Sequence, residues 1–291
     1  MKISLSKYAG FCDGVNRAYK TVLDIVKDPK IKKPIYILGS LVHNNDVVCN
    51  IKKMGVKKLN FNGVIKDVEK EIDKSIGTLV ITAHGIGPKI FEIAEEKNIN
   101  VIDTTCPKVI KAQKLAEIFW NRNYKIIIIG KKKHKETMGI FRWARKNAIV
   151  VESEEDFLNN LNFGADDKIV VVSQTTQNED KVKKIINKIL IKYPNAEILD
   201  TVCETTKKRQ QEAKKIAKEN DLVLVIGSSS SSNSTELWKI AKKINPKTYF
   251  IERAEHIKSH WFKNCHSVGI TAGASSPQWV IDEIKEYLLD I

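Results

Sequence analysis

The sequence predicts an α/β protein of parallel sheets covered by helices on both faces. Three observations carry this: short apolar runs without helical period, amphipathic runs alternating with them, and recurrence of that alternation in three stretches of similar length. The apolar runs are Ile35–Leu38, Thr78–Thr82, Val101–Asp103, Lys125–Ile129, Ile169–Val172, Ile198–Asp200, Leu222–Ile226 and Val268–Thr271. Most are apolar throughout rather than alternating, the pattern of strands buried on both faces, and strands interleaved with helices pair in parallel. The amphipathic runs Val15–Val26, Val109–Trp120, Asp180–Ile191 and Thr206–Ala217 space apolar residues three and four apart, one stripe of a helix.

The third observation rests on cysteines. Cys12, Cys106 and Cys203 fall at nearly even intervals, each between a strand-like and a helix-like run. Asp103-Thr104-Thr105-Cys106 and Asp200-Thr201-Val202-Cys203 match at three of four positions. The division predicts α/β domains over 14–105, 106–202 and 203–291, the last joined by an N-terminal strand within 1–13. A polar residue follows each cysteine at a strand end, His43, His134 and Ser231, and another follows later, His84, Thr175 and Ser275. Ligands of parallel sheets bind beyond the carboxyl ends of strands, where all nine residues are expected. A repeated α/β unit produces periodic loops in any case, which explains the spacing but not the choice of Cys, His, Thr and Ser. Three thiolates brought to one centre suit a metal cluster better than a lone ion.

Composition narrows the partners. At 291 residues, 42% of them hydrophobic, the chain can bury a sizeable core. A net charge of +14, from 49 basic and 35 acidic residues, favours anionic partners, although the lysines are mostly spread over helix faces as on a solvated surface. Nucleic-acid binding has no recognised module or aromatic-basic interleaving behind it. No long apolar span opens the chain, so a cytoplasmic protein without membrane attachment is expected. Five cysteines in a reducing compartment are then thiols, metal ligands or redox groups. None forms a CxxC pair, so any cluster draws its ligands from distant sequence.

Cys12, Cys106 and Cys203 sit at strand-to-helix junctions, where amides and the helix dipole favour thiolate. Cys49 lies on the apolar stripe Val47-Val48-Ile51 and reads as a buried hydrophobe, and Cys265 reads as structural. His43, His84 and His134 together, in a basic surround, read as a phosphate cage, although any one of them alone reads as a loop hydrogen-bonder. The run Gly227-Ser228-Ser229-Ser230-Ser231-Ser232-Asn233-Ser234 lies between a strand and a helix expected to begin near Thr235, either an anion site or a flexible linker. Thr271-Ala272-Gly273-Ala274-Ser275-Ser276-Pro277 ends a strand and opens a helix in the same way. Glu136, two residues past His134, is a proton donor if bound phosphates raise its pKa by like charge, or else a surface glutamate in a lysine-rich loop. Thr175 either orients a substrate hydroxyl or caps the following helix.

These residues together resemble the LytB-type family of 4-hydroxy-3-methylbut-2-enyl diphosphate reductases, last enzymes of the non-mevalonate isoprenoid route. The resemblance is carried by Gly10-Phe11-Cys12-Asp13-Gly14-Val15, Val42-His43-Asn44, Ala83-His84-Gly85, Thr105-Cys106-Pro107, Ser173-Gln174-Thr175-Thr176, Ser231-Ser232-Asn233-Ser234 and Thr271-Ala272-Gly273-Ala274-Ser275. It implies a trefoil of three α/β units, pseudo-threefold related, around a 4Fe-4S cluster held by Cys12, Cys106 and Cys203 with one iron open. It also implies diphosphate binding by His43, His84, His134, Ser231, Ser232, Asn233 and Ser275. Glu136 and Thr175 then serve the allylic hydroxyl, and a ferredoxin or flavodoxin is the expected electron donor. Two departures stand out: Asp13 replaces a small or apolar residue, and Lys135-Glu136-Thr137 replaces Pro-Glu-Val. An iron-sulfur dehydratase without net electron transfer is the competing enzyme class, since an open iron also acts as a Lewis acid.

Overall fold

The computed structural model describes residues 1–61, 68–156, 162–164 and 166–290. Its strands form three four-stranded sheets whose pairings are all parallel. One holds β2 (Ile35–Leu38), β3 (Lys57–Leu59), β4 (Thr78–Ile81) and β5 (Asn100–Asp103), in the order β3-β2-β4-β5. The next holds β6 (Lys125–Ile129), β7 (Ala148–Val151), β8 (Ile169–Ser173) and β9 (Glu197–Ile198), in the order β7-β6-β8-β9. The third joins β10 (Leu222–Ile226), β11 (Thr248–Ile251) and β12 (Ser267–Ala272) to β1 (Lys2–Leu5), in the order β1-β12-β10-β11.

All three sheets share one winding. The first strand of each lies between the second and the third, and the fourth flanks the third. In the last sheet that fourth place is filled by β1, from the other end of the chain. Strand order reverses between β2 and β4, between β6 and β8, and between β10 and β12, and the crevice beyond such a reversal is where open parallel sheets bind ligands. His43 and His84 follow the first pair of strands, His134 and Thr175 the second, Ser231 and Ser275 the third. Each cysteine follows the flanking strand: Cys106 after β5, Cys203 after β9, Cys12 after β1.

Between the strands run α1 (Asp13–Lys27), α2 (Asn45–Lys53), α3 (Lys89–Glu96), α4 (Pro107–Asn121), α5 (Lys135–Trp143), α6 (Glu179–Lys192), α7 (Glu204–Glu219) and α8 (Ser232–Ile244), and α9 (Gln278–Leu289) follows β12. Contacts divide the chain into two compact units. The first comprises Met1–Asn16, Val42–Cys49 and Cys203–Ile291, and the second Arg17–Leu41 and Asn50–Val202. The β1-β12-β10-β11 sheet belongs to the first unit and the other two sheets to the second.

Alternate side chains of a strand serve opposite faces, so each central strand feeds two cores. Ile127 and Ile129 join Val171 and Ile185 on one face, while Ile126 and Ile128 join Ala112, Ala116 and Ile140 on the other. In the first unit Leu222, Leu224 and Ile226 pack with Ile281 and Ile284, and Val223 and Val225 with Ala213 and Leu237.

Three strands escape the sequence reading, β3, β7 and β11. Each is short and lies at a sheet edge; Lys57 and Lys58 of β3 are exposed, while β7 and β11 are apolar runs of only three or four residues that are partly exposed. The run expected at Ile198–Asp200 forms a strand only at Glu197–Ile198, although the Leu199 amide still donates to the Val171 carbonyl at 2.9 Å. Cys49 is exposed, not buried. Val47 and Ile51 hold the buried face of α2, and two residues after Val47 is 200° around the helix, on the opposite side.

Ile127→Ala removes a side chain that is fully buried in the β6 core and should lower unfolding free energy by about 2–5 kcal/mol. Cys49→Ser, at an exposed position, should change it by less than about 0.5 kcal/mol. Urea titrations of both variants check the pair.

Candidate active site

In the first unit the loops after β1, β10 and β12 meet around α7 and α8. Ser231 caps α8, its hydroxyl accepting from the Ser234 amide at 3.3 Å, and the Ser234 hydroxyl donates to it at 3.0 Å. This helix begins at Ser232, earlier than expected, because the cap is Ser231. Ser232 and Asn233 therefore occupy the first helical turn rather than a loop. Glycine is required on both sides of that turn: a Cβ at Gly227 would lie 2.3 Å, and one at Gly273 1.9 Å, from the Ser234 oxygen. Ser275 donates to the His43 carbonyl at 3.2 Å and lies 3.4 Å from the Ser231 hydroxyl. Asn233 is 5% exposed, and its amide nitrogen has no hydrogen-bond partner among the described residues. A buried amide left so is a donor awaiting an oxygen.

The same unit carries Cys12 and Cys203. The Cys12 amide donates to the Ala274 carbonyl at 3.4 Å, and the neighbouring Phe11 ring meets Trp279 edge-on at 6.2 Å, so the Cys12 loop is tied to the Ser275 loop. Cys203 is the N-cap residue of α7 and Cys12 directly precedes α1, both partly exposed. Near them lies a residue that the sequence reading passed over. Arg209 on α7 is 3% exposed and donates to the Gly10 carbonyl at 2.7 Å and the Ala272 carbonyl at 2.9 Å. Its signal in the sequence is an arginine on the stripe of α7 that Ala213, Ile216 and Ala217 share.

In the second unit a chain of contacts runs from Cys106 to Thr175. The Cys106 amide donates to the Ala83 carbonyl at 3.1 Å, and the Arg17 guanidinium donates to the Thr105 carbonyl, fixing Cys106 at the N-cap of α4. The ring of His84 meets that of His134 edge-on at 5.8 Å. His134 caps α5: its Nδ1 accepts from the Glu136 amide at 3.2 Å, so the proton of the neutral ring sits on Nε2 as a donor. A cavity of about 430 Å³ lined by Lys131, Lys132, Lys133, His134 and Glu152 adjoins it.

Glu136 is 2% exposed and receives the Thr175 amide at 2.5 Å, with the Thr175 hydroxyl also bonded to its carboxylate. Burial pushes its carboxyl up to about 7, against the opposing hydrogen bonds from Thr175. The raised pKa thus comes from desolvation in the protein itself, without the like charge of a ligand that the sequence reading invoked. Nor does Thr175 cap the next helix, since Asn178 accepts from the Lys181 amide at 2.9 Å and does so instead. Gln174, fully buried, ties the two loops together. Its Oε1 accepts from the Thr137 hydroxyl at 3.1 Å, the Lys131 amide at 3.1 Å and Gln177 at 2.9 Å. Thr137, one of the departures from the family pattern, adds a hydrogen bond that valine cannot make.

Of the two remaining cysteines, Cys265 packs against the β10–β12 core, and its thiol, pushed up by burial, donates to the Ser267 carbonyl at 3.3 Å. Among the described residues no three His, Cys, Asp or Glu side chains gather closely enough for a single metal ion. Cys12, Cys106 and Cys203 stand at helix N-termini as free thiols.

Three parallel sheets wound alike, each with a strand-order reversal where such sheets bind ligands, make this an α/β protein of the class to which many enzymes belong. The chain belongs to the LytB family: the model of the LytB protein family matches residues 3–289. It is 36% identical over 288 residues to the 4-hydroxy-3-methylbut-2-enyl diphosphate reductase of Clostridioides difficile, covering 99% of both chains. To the enzyme of the same name from Aquifex aeolicus it is 35% identical, covering 99% of this chain and 96% of that one. Among solved structures it superposes on the E-1-hydroxy-2-methyl-but-2-enyl-4-diphosphate reductase of Plasmodium falciparum with a TM-score of 0.88 and 33% identity, covering 99% of this chain and 87% of that one. A second, an (E)-4-hydroxy-3-methyl-but-2-enyl diphosphate reductase described as the terminal enzyme of the non-mevalonate pathway, gives 0.70 and 34%, with full coverage of both chains.

Because the Glu136 carboxyl rises from 4.5 unfolded to about 7 folded, the native state holds the extra proton between those values and loses stability as pH climbs through them. Glu136→Gln should therefore match the unchanged chain near pH 4.5 and exceed it at pH 8 by up to roughly 3 kcal/mol. Urea unfolding at both pH values measures the difference.

Proposed function

We propose that this chain catalyses the reductive dehydroxylation of 4-hydroxy-3-methylbut-2-enyl diphosphate to isopentenyl and dimethylallyl diphosphate, the last step of the non-mevalonate route. The observation that carries the reading is Glu136, buried at the carboxyl end of a sheet, clasped by Thr175 and protonated near neutral pH. Family membership and the names of the relatives support it.

The reaction takes up two electrons and two protons and releases water. In this reading Cys12, Cys106 and Cys203 hold a 4Fe-4S cluster with one iron lacking a protein ligand, which when bound supplies single electrons and a Lewis-acidic iron. His43, His84, His134, Ser231, Ser232, Asn233 and Ser275 bind the diphosphate. Support comes from the buried Asn233 donor, the serine hydroxyls at the start of α8, where the helix dipole favours an anion, and the Nε2 donor of His134. Glu136 donates a proton to the departing hydroxyl, and a pKa of about 7 lets it hold that proton and still release it. Thr175 keeps the carboxyl in position and orients the hydroxyl. Residues of all three α/β domains, 14–105, 106–202 and 203–291 with the strand within 1–13, then serve one substrate.

An acidic electron carrier such as a ferredoxin or flavodoxin suits the net charge of +14. The reading places the enzyme in the cytoplasm; among the described residues no helix is long and apolar enough to cross a membrane.

Anaerobically purified protein should be coloured, contain close to four irons per chain and turn over only with a reductant. A colourless chain that stays inactive after reconstitution removes the cluster, and turnover without reductant favours the dehydratase. Glu136→Gln should lower the rate about a hundredfold or more while substrate still binds. Undiminished reduction by that variant removes Glu136 as the proton donor.

A further inference from the structure

We propose that Lys135 is a further diphosphate-binding residue of this chain, its ammonium placed with that of Lys58 at the carboxyl end of β2 to take a phosphate group. The side chain leaves the first position of α5 and lies across the residue that follows β2: a Cβ built on Gly39 would stand 2.8 Å from the Lys135 Nζ. The Gly39 amide donates to the Leu59 carbonyl at 2.8 Å, so the end of β2 is tied to the end of β3. There Leu59 pairs with Leu38, both entering the core, and Lys58 pairs with Ile37. Successive residues of a strand face opposite sides, so Lys58 turns away from that core. Lys57 turns the other way, its Nζ 5.5 Å from the centre of the Tyr36 ring.

No group among the described residues answers the two cations. Neither Lys58 nor Lys135 makes a side-chain hydrogen bond or an ion pair with them. Lys135 is nonetheless partly buried, and burial first, then the Lys58 charge, works against its ammonium. A cation at the first position of a helix also faces the positive end of the dipole. These unfavourable effects share one remedy, an anion held by both lysines. The family pattern has Pro at this position, a residue suited to the first turn of a helix, so lysine is not needed to build α5. The surroundings identify the anion. His134 directly precedes Lys135, its ring meets that of His84 at 5.8 Å, and the strand order reverses between β2 and β4 alongside. A diphosphate offers the imidazoles and the ammonium groups an acceptor each.

The inference rests on the reading that the substrate is an allylic diphosphate bound beside His134, so one arm of its test uses inorganic diphosphate alone. In reconstituted protein, Lys135→Pro should raise KM for 4-hydroxy-3-methylbut-2-enyl diphosphate about tenfold and leave kcat within about twofold, the mark of lost ground-state binding. Lys135→Gln should match it, and Lys58→Ala should show a smaller rise. Titration calorimetry with inorganic diphosphate should rank the same variants in the same order. An unchanged KM overturns the proposal, even where inorganic diphosphate binds more weakly, since the lysines then hold an anion apart from the substrate. A rise in Lys135→Pro without one in Lys135→Gln overturns it too, because the backbone and not the charge is then responsible. If the unchanged chain does not turn the substrate over, the functional reading fails and calorimetry alone decides the role of Lys135.

Discussion

Parallel pairing is the constraint on which everything else in this molecule depends. A parallel strand needs a crossover helix, and helices on both faces bury every side chain of the central strands. β6, β8 and β10 accordingly carry Ile, Val and Leu at almost every position, leaving nowhere along the strands for polar chemistry. What remains is the edge where strands end and helices begin. Free amides and helix dipoles point there, so the residues that cap helices are also those best placed to hold an anion or a thiolate. Ser231 and His134 each satisfy a helix amide, and Cys106 and Cys203 hold cap positions without a side-chain cap bond.

Burial then sets the charge states at that edge. Glu136 is a carboxyl group whose desolvation exceeds the help it receives from Thr175, and it stays protonated to about pH 7. Arg209 is the opposite case, a cation that burial disfavours and neighbouring negative groups sustain. The carboxyl group keeps its proton because desolvation exceeds its hydrogen bonding, and the guanidinium is held by the carbonyls of Gly10 and Ala272.

The departures from the family pattern are absorbed locally. The Thr137 hydroxyl donates to Gln174, the amide that already joins the loop after β6 to the loop after β8, so the substitution strengthens the link that positions Glu136. Lys135 is partly buried at the first position of α5, where burial and the nearby Lys58 charge pull its ammonium below the ordinary range. Asp13, in the first turn of α1, gains from the helix dipole as well as from Arg209.

Much of this was legible along the chain. Unbroken apolar runs mark strands buried on both faces, and repeating cysteines with strand-end histidines, serines and threonine mark the loops that matter, because those properties depend on local pattern. Edge strands such as β3 were not legible, since partial exposure leaves no apolar signature. The exposure of Cys49 depends on which way α2 rolls against its neighbours, and the start of α8 on which serine turns back to cap it. Glu136 shows the division most clearly. Its place two residues past His134 is written in the sequence, where a surface glutamate in a lysine-rich loop was the simpler reading. Its raised pKa follows from burial against Thr175, thirty-nine residues away, which only tertiary packing brings into contact. The same holds for Arg209, an ordinary basic residue in a lysine-rich helix until folding buries it beside two cysteines. Local pattern determines which residues stand at the strand ends, and desolvation, a property of the packed interior, decides what they can do there.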